Sequence, residues 1–426
     1  MIYKKNLMDL KINNFLFILV LFLPATLVTG PFLPDLLISI TSLIFIIYLW
    51  SKKNFFFLKN DFFIILLFFY GYIAINSFFS DNIFLSIKNT LFYFRFLIFA
   101  FFLKYLILTN PNFLKYFIIS ILIVLIIVSI DAIFEYFIGS HWYFDKSNYP
   151  EFIVNKRISG LFDEEYILGG FVLSLFPISL VTFKYYYNKK NLTDIFIIFL
   201  NFIFIYTILI SGERSTLGKL FLLFMISILS INYFKNFKTK ISIIFFTIIF
   251  IFIIIISQNT LKERFINNTY KLVFTKDNNQ LDKEKITFKG MNIKYFSQEH
   301  QDHAHISLKM FIDKKLFGHG VKMFRILCDD KKYYINDRAC STHSHGIIFT
   351  FLSELGLVGF VFLLVFYFIL LKKFLNANNS IEKILITSIF LLLFPFLPSG
   401  YFFNNYFSIV LYTLIGMYLG IRKLKL

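Results

Sequence analysis

Charged residues are scarce in this chain of 426 residues, where Asp, Glu, Lys and Arg make up only 16% of the total and hydrophobic residues 58%. A soluble globular domain carries about 25% charged residues, so this composition excludes one. The sequence also contains neither an internal repeat nor coiled-coil heptads, which excludes solenoids and coiled coils. It therefore predicts an all-α polytopic integral membrane protein.

Apolar runs of about 20 residues, the length that a helix needs to cross a bilayer, recur along the chain. They predict about twelve transmembrane helices, near residues 13–30, 35–50, 62–79, 90–108, 117–138, 166–184, 193–211, 214–232, 241–257, 346–371, 383–398 and 403–421. The chain then divides into a membrane domain at 1–257 with about nine spans, a long polar loop at 258–345 that holds short helices, and a membrane domain at 346–426 with about three spans.

The formal net charge of +18 comes from lysines and arginines that concentrate in every second connection between the predicted spans. By the positive-inside rule, those connections and both termini are cytoplasmic. Residues 139–165 and 258–345 then lie on the outer side. The lysines act as topology signals rather than as a nucleic-acid-binding surface, which would gather its charge on one water-facing side.

Cysteine is almost absent, and both cysteines, Cys328 and Cys340, fall in the long outer loop. In an oxidising compartment, two cysteines close a loop more readily than they bind a metal ion. We therefore predict a disulfide, with two free thiols as the alternative. Its closure would stabilise the fold by roughly 3 kcal/mol.

Histidine is also rare, with seven residues, yet His343 and His345 stand together in "CSTHSHGIIFTFLSELGLVG", residues 340–359. They precede a predicted span, so they would lie at a helix N-terminus, where unpaired backbone N–H groups favour an anion. An imidazole there can exchange protons near neutral pH. The alternative is that both histidines only cap the helix at the membrane surface.

Three further polar clusters lie at the outer ends of predicted spans or in the long outer loop. They are "RISGLFDEEYILGG" (157–170) with Arg157 and the acidic triplet Asp163, Glu164 and Glu165, "SGERSTLGKL" (211–220) with Arg214, and "LFGHGVKMFR" (316–325) with Lys322 and Arg325. Arginine suits bidentate contact with phosphate, although an interfacial arginine can also merely extend its head group into water. Because the four clusters bring Arg, Lys, His and carboxylate to one side of the membrane, we expect them to form one site.

Glu354 is the acid of the predicted span 346–371, nine residues after His345. That spacing corresponds to about 13 Å of rise and about half a turn, so a direct hydrogen bond between the two side chains is not expected. A buried carboxylate needs a partner. Arg95 lies at a comparable depth in the span 90–108, and we predict a structural Arg95–Glu354 pair.

The stretch "QEHQDHAHIS", residues 298–307, carries side chains that resemble metal ligands, namely Glu299, His300, Asp302, His303 and His305. A flexible His-rich tract can bind metal ions incidentally. We therefore predict no functional metal at this stretch, with a metal site as the alternative.

Together these motifs resemble those of the bacterial O-antigen ligase and O-antigen polymerase family, integral membrane enzymes of the lipid-linked glycan pathway. The resemblance extends from "FSDNIFLSIKNTLFYFRF" (79–96) to "LPSGYFFNNYF" (397–407). Its most specific part is 340–359, where His345 is followed by apolar residues and then by Glu354 and two glycines.

The chain departs from the family pattern at two places. Gly346 follows His345, where the family usually has Asn. The arginine that many members carry shortly before the Gly-x-Gly turn is missing, and His305 and Lys309 occupy that region.

The resemblance implies metal-independent and cofactor-free glycosyl transfer at the periplasmic face of the bacterial inner membrane. The donor would be a glycan on undecaprenyl diphosphate, and the acceptor a sugar hydroxyl of the lipid A core, with membrane lipids and no nucleic acid as further partners. A departing diphosphate needs fixed positive charge and a sugar hydroxyl needs a base.

In this mechanism His345, Arg214 and Arg325 are the catalytic residues. His345 would deprotonate the acceptor, and its nominal pKa is about 6.5. The diphosphate would bind to Arg214, Arg325, Arg157 and Lys322, with secondary roles for His343, Glu165 and His305.

Three alternatives remain open on the sequence. A polymerase would differ only in its acceptor, another lipid-linked repeat, and a third enzyme class would transfer the glycan to protein. A transporter would carry ionisable or helix-breaking residues near the middle of several spans, whereas most charges here lie near span ends.

The topology predicts the behaviour of fused reporter enzymes. A reporter that is active only outside the cytoplasm should be active after Asn279 and inactive after Asn188, because the lysine-rich connections retain the second site inside. A cytoplasmic location for 258–345 would contradict the proposed chemistry, since the lipid-linked donor would be presented on the opposite face.

Overall fold

The computed structural model describes residues 7–53, 61–141, 157–163, 165–187, 190–230, 237–270, 287–288, 291–292 and 297–424. Within these ranges the helices are α1 (Leu7–Leu21), α2 (Leu23–Thr26), α3 (Phe32–Ser51), α4 (Asp61–Ser77), α5 (Ile83–Thr90), α6 (Phe94–Thr109), α7 (Phe113–Ile138), α8 (Leu168–Tyr186), α9 (Lys190–Ile210), α10 (Arg214–Ser230), α11 (Phe237–Ser257), α12 (Asn259–Lys262), α13 (Gln298–Asp313), α14 (Phe324–Leu327), α15 (Ile347–Leu375), α16 (Ser380–Leu392) and α17 (Asn405–Leu424). A 3-10 turn (Gly160–Phe162), a π-helical turn (Glu263–Asn267) and two antiparallel two-residue strands, β1 (Thr287–Phe288) and β2 (Met291–Asn292), complete the described structure.

The expected helical membrane architecture is confirmed, but the count of about twelve spans is not. Among the described residues, seven helices are long and apolar enough to cross a bilayer. They are Phe32–Ser51, Ile83–Thr109, Phe113–Ile138, Leu168–Tyr186, Leu192–Ile210, Ile347–Leu375 and Asn405–Leu424. An eighth would be the pair Ile241–Ser257 and Asn259–Tyr270, which is bent by 101°. The other four predicted spans correspond to α1, α4, α10 and α16, which have 17 residues or fewer.

Helices α6 and α17 pack closely at the centre of the bundle. Gly416 and Gly420 are four residues apart on α17 and so face the same side of the helix. A Cβ at Gly416 would meet the Ala100 carbonyl oxygen at 2.7 Å, and one at Gly420 would meet Ile107 at 2.8 Å. This small-residue spacing brings the two backbones together, as it does between transmembrane helices in general.

The Gly-x-Gly turn docks into a break in α15. The break lies at Gly356, whose φ is +62°. Four backbone hydrogen bonds join the two segments, namely His319 N–H to Ser353 O (3.0 Å), Gly320 N–H to Glu354 O (2.8 Å), Leu357 N–H to Lys315 O (2.7 Å) and Val358 N–H to Leu316 O (3.2 Å). Backbone groups freed inside an apolar bundle must find partners within the protein, and the turn supplies them.

Helix α13 and the segment after the turn form a small core of their own. Ile306 and Met310 of α13 pack with Phe324 and Tyr333. Cys328 and Cys340 form a disulfide across this segment, with their Cα atoms 5.0 Å apart. The disulfide expected from the sequence is therefore present, and it closes the loop that leads to the histidine stretch.

The predicted Arg95–Glu354 pair is wrong. Arg95 donates from Nη2 to Asp35 Oδ1 at 2.6 Å and from Nε at 3.0 Å. Glu354 instead accepts from the Tyr401 hydroxyl at 2.6 Å and from the Phe324 N–H at 3.3 Å. Arg95 stands in the first turn of α6, opposite the first turn of α3, whereas Glu354 points toward the segment that follows the Gly-x-Gly turn.

The docked turn leaves no room for a side chain at two glycines, so we predict that both are intolerant of substitution. A Cβ at Gly318, whose φ is +68°, would lie 2.5 Å from the Glu354 carbonyl carbon, and one at Gly356 2.5 Å from Leu316. Gly318→Ala and Gly356→Ala should each lower the free energy of unfolding by at least about 2 kcal/mol. Thermal unfolding in detergent measures this.

The matched control is Gly71→Ala, because Gly71 lies inside α4 with no atom within 4 Å of its added Cβ. It should leave stability unchanged or raise it by about 0.5 kcal/mol. Equal unfolding temperatures for all three variants would show that the turn is not held by backbone contact.

Candidate functional site

A cavity of about 1120 Å³ collects residues from three of the four polar clusters. Arg157, Asp163 and Glu165 line it from the first cluster, Arg214 from the second, and His343 and His345 from the histidine stretch. Tyr401 and Ser399 of the segment 397–407 also line it. Glu164 of the acidic triplet, like Asn188 and Asn279, lies outside the described residues.

One part of the cavity is strongly cationic. Its lining includes Arg157, Arg214, Lys219 and Arg264. The three arginines lie close enough to repel one another electrostatically. Arg157 stacks over the Tyr166 ring, 4.5 Å from its centroid, and its Nε is buried without a hydrogen-bond partner among the described residues. We call these four residues the cationic cluster.

Glu213 is the buried acid beside this cluster, and its carboxylate is engaged elsewhere. It accepts from the Gly169 N–H at 2.7 Å, from the Gly170 N–H at 3.1 Å and from the Thr216 hydroxyl at 2.6 Å. It thereby caps the N-terminus of α8, where negative charge is favoured. Burial raises the pKa of Glu213 against these hydrogen bonds and the charge of Arg157. The Glu213 carboxylate is therefore shared between the N-terminus of α8 and the charge of Arg157.

Another part of the cavity lining contains four histidines, which we call the histidine cluster. His300 and His303 come from α13, while His343 and His345 come from the loop before α15. The ring centroids of His343 and His345 lie 3.9 Å apart, those of His303 and His345 5.0 Å, and those of His300 and His345 5.6 Å.

Burial is the main cause that keeps these imidazoles neutral. It lowers the pKa of His300, His303 and His345 to about 4 and that of His343 to about 2, and charge from neighbouring cluster members adds to the effect. His303 is only 3% exposed. Both of its ring nitrogens, and Nε2 of His343, have no hydrogen-bond partner within the described structure. Neutral, unpaired imidazole nitrogens can accept protons from a substrate.

The conformation of His345 is strained and held from two sides. Its φ is +52°, in the left-handed region that non-glycine residues rarely adopt. The Ser399 N–H donates to the His345 carbonyl oxygen at 3.0 Å. The neighbouring Ser344 is buried and pairs with the Thr350 hydroxyl at 2.8 Å. Such strain persists where surrounding contacts impose it, and it is frequent at functional sites.

The structure does not bring Arg325, Lys322 and His305 into the cavity lining. Arg325 is exposed and donates to the Thr342 carbonyl oxygen at 3.3 Å. The Lys322 backbone N–H donates to the Tyr401 hydroxyl at 2.8 Å, and His305 pairs with Gln301 at 3.2 Å. The docking of the Gly-x-Gly turn directs this segment toward Glu354 and Tyr401 rather than toward the cationic cluster.

The sequence reasoning missed five contributors, namely His300, His303, Lys219, Arg264 and Glu213. The interpretation of 298–307 as a flexible tract is wrong, because these residues form the first turns of α13. Ser297 caps this helix by accepting from the His300 N–H, and Glu299 lies in its first turn. That N-terminal signal was present in the sequence. No comparable sequence signal marks Arg264, because a bend of 101° in the chain brings this residue to the cavity.

In the described part of the chain, the side chains spaced closely enough to share one metal ion are Cys328, Asp329 and Cys340. The two sulfur atoms of that group are joined in the disulfide. Among the described residues, the four histidines of the histidine cluster do not meet this spacing.

The histidine cluster predicts how stability depends on pH. In the unfolded chain each histidine takes up a proton near pH 6.5, whereas in the fold His303 does so near pH 4. Between about pH 4 and about pH 6.5, the unfolded state therefore binds more protons than the folded state does. The free energy of unfolding should thus fall as the pH falls from about 6.5 to about 4. The unfolding temperature of His303→Gln should fall less steeply over this range than that of the wild type. Parallel curves would contradict the neutral, buried state of His303.

One known family model matches part of the chain. The family model described as O-Antigen ligase matches residues 199–364, a range that includes Arg214, Lys219, Arg264 and the whole histidine cluster. No curated protein sequence matches the chain. The match over this range supports the O-antigen ligase-related family as the family of this chain.

Proposed function

We propose that the chain is an O-antigen ligase-type glycosyltransferase. It moves a glycan from undecaprenyl diphosphate to a sugar hydroxyl of the lipid A core. The observation that carries this proposal is that one cavity combines a cationic cluster with a cluster of neutral imidazoles. The first suits a diphosphate leaving group, and the second suits a hydroxyl that must lose its proton.

The diphosphate binds at the cationic cluster. Arg214, Ser215 and Thr216 form the first turn of α10 and line the cavity there. The unpaired N–H groups of that turn add to the positive potential of Arg157 and Arg214. As the bond between the anomeric carbon and the diphosphate oxygen breaks, its electron pair stays on that oxygen. The guanidinium groups stabilise the resulting charge.

The acceptor hydroxyl approaches the histidine cluster. His345 takes the hydroxyl proton while the oxygen forms its bond to the anomeric carbon, and the imidazolium later releases the proton to water. Hydroxyl groups with no partner among the described residues, those of Ser388, Ser399 and Tyr406, also line the cavity and can hold sugar hydroxyls. No nucleotide takes part, because cleavage of the glycosyl diphosphate supplies the free energy.

The reaction takes place at the periplasmic face of the inner membrane. The charge distribution of the sequence supports this side, because the lysine-rich connections lie at the opposite ends of the predicted spans. Arg157, Arg214 and His345 all follow or precede spans at the predicted outer ends.

A polymerase would use the same donor site and base with a different acceptor, another lipid-linked repeat. Deletion of the gene separates the two enzymes. A ligase predicts loss of attachment with a normal lipid-linked polymer, whereas single capped repeats on the surface would identify a polymerase.

The rate of transfer should be sensitive even to replacement of Arg214 by lysine. Arg214→Lys keeps the charge but loses the planar fork, so kcat should fall about tenfold, and Arg214→Ala should lower it about 100-fold or more. Arg325→Ala is the matched control, because Arg325 is exposed and lies outside the cavity lining, and it should cost much less. Both are measured with purified protein, lipid-linked donor and acceptor. A greater loss in Arg325→Ala than in Arg214→Ala would move the donor site to the 316–325 segment.

His345 should be the base whose protonation limits the rate at low pH. His345→Ala should lower kcat by about 100-fold or more with chelator present, and His343→Ala should cost less. Because the pKa of His345 is lowered to about 4, wild-type activity should persist below pH 6.5 and decline only toward pH 4. Full turnover by His345→Ala would leave the mechanism without its base.

A further inference from the structure

We propose that Arg264 is a further diphosphate-binding cation of this enzyme, beside Arg157 and Arg214, in place of the arginine that is missing before the Gly-x-Gly turn. The inference rests on the proposed glycosyl transfer and names a residue that the family resemblance does not supply. Arg264 reaches the cavity from a different segment, the one that follows α11 and α12.

The local backbone directs Arg264 inward. The chain bends by 101° between α11 and the helical segment Asn259–Tyr270. Immediately after α12, the turn Glu263–Asn267 is π-helical. A π-helical turn shifts the register of the side chains that follow, and such turns are frequent at functional sites. The bend and this turn bring Arg264 beside Gly212, two residues before Arg214.

The contact with Gly212 fixes the position of the guanidinium. Arg264 Nε donates to the Gly212 carbonyl oxygen at 2.6 Å. Gly212 has a φ of +66°, and a Cβ there would lie 2.6 Å from Arg264 Nε and 2.8 Å from its Cδ. Because Gly212 has no Cβ, the Arg264 side chain can pass directly over its backbone. Because Nε is used for this anchor, the two terminal nitrogens carry the donors that face a ligand.

An anion bound beside Arg264 would relieve the electrostatic repulsion between this arginine and its neighbours. Arg157 and Arg214 repel it, and Glu213 is the acid that attracts it. Glu213 already caps α8 through Gly169 and Gly170. Among the described residues, no carboxylate forms an ion pair with Arg264. Like charges held close together are costly unless a ligand of opposite charge joins them, and a diphosphate supplies that charge.

The other candidates for the missing cation lie elsewhere. His305 and Lys309 occupy the region of the missing family arginine, but neither lines the cavity. The exposed Arg325 donates to the Thr342 carbonyl oxygen. Arg264 is therefore the cation best placed to work with Arg214.

Binding of inorganic diphosphate to the purified full-length chain tests the proposal directly. The variants are Arg264→Gln, Arg264→Lys and the matched control Lys262→Gln, an exposed residue of α12. Arg264→Gln should weaken diphosphate binding at least about tenfold, as expected for loss of a charged hydrogen bond. Arg264→Lys should lose less affinity overall, but its preference for diphosphate over monophosphate should shrink, because the fork is lost. Lys262→Gln should bind as the wild type does.

Donor turnover separates this inference from the proposed function. Wild-type protein that neither binds diphosphate nor transfers glycan would overturn the function itself. Wild-type turnover together with unchanged diphosphate affinity in a folded Arg264→Gln variant would overturn the inference alone and leave Arg264 as an anchor for Gly212. If Arg264→Gln fails to fold, the diphosphate-to-monophosphate preference of Arg264→Lys decides, since an unchanged preference would overturn the inference.

Discussion

The backbone pairing between the Gly-x-Gly turn and the broken helix α15 is the constraint on which the site depends. The helix opens at Gly356, and the turn at 315–320 satisfies the freed backbone groups. His319, Gly320 and Glu354 are buried, so the backbone groups they pair need partners within the protein. It places the chain that leads to the disulfide and then to His343 and His345. The same pairing orients Glu354 toward Tyr401, whose ring lies 5.7 Å from that of His343.

The cavity separates two electrostatic environments over a short distance. Around Arg157, Arg214 and Arg264, like charges repel one another, and Glu213, which also caps α8, attracts Arg264. Around His303 and His345, burial suppresses charge altogether. One environment suits a leaving group that gains negative charge, and the other suits a base that must be neutral before it acts. A single cavity thus holds the two environments that the proposed glycosyl transfer needs.

The sequence predicted those features that depend on local pattern. Apolar runs predict helices, so each predicted span has a helical counterpart, although four of these helices have 17 described residues or fewer. Arg157, Arg214, His343 and His345 could be found because they stand at the ends of apolar runs. Arg264 could not, since a 101° bend brings it to the cavity. Arg95 paired with Asp35 rather than Glu354, because depth along a helix does not reveal which side of it faces a neighbour.

The central claim is that the cavity holds the diphosphate of a lipid-linked donor between the cationic cluster and the histidine cluster. A cryo-EM structure of the full chain with undecaprenyl diphosphate tests it most directly. The account predicts phosphate density within hydrogen-bond distance of Arg214 and Arg264, on the side of the cavity that faces His345. Phosphate density outside the cavity, beside Lys322 and Arg325, would contradict it.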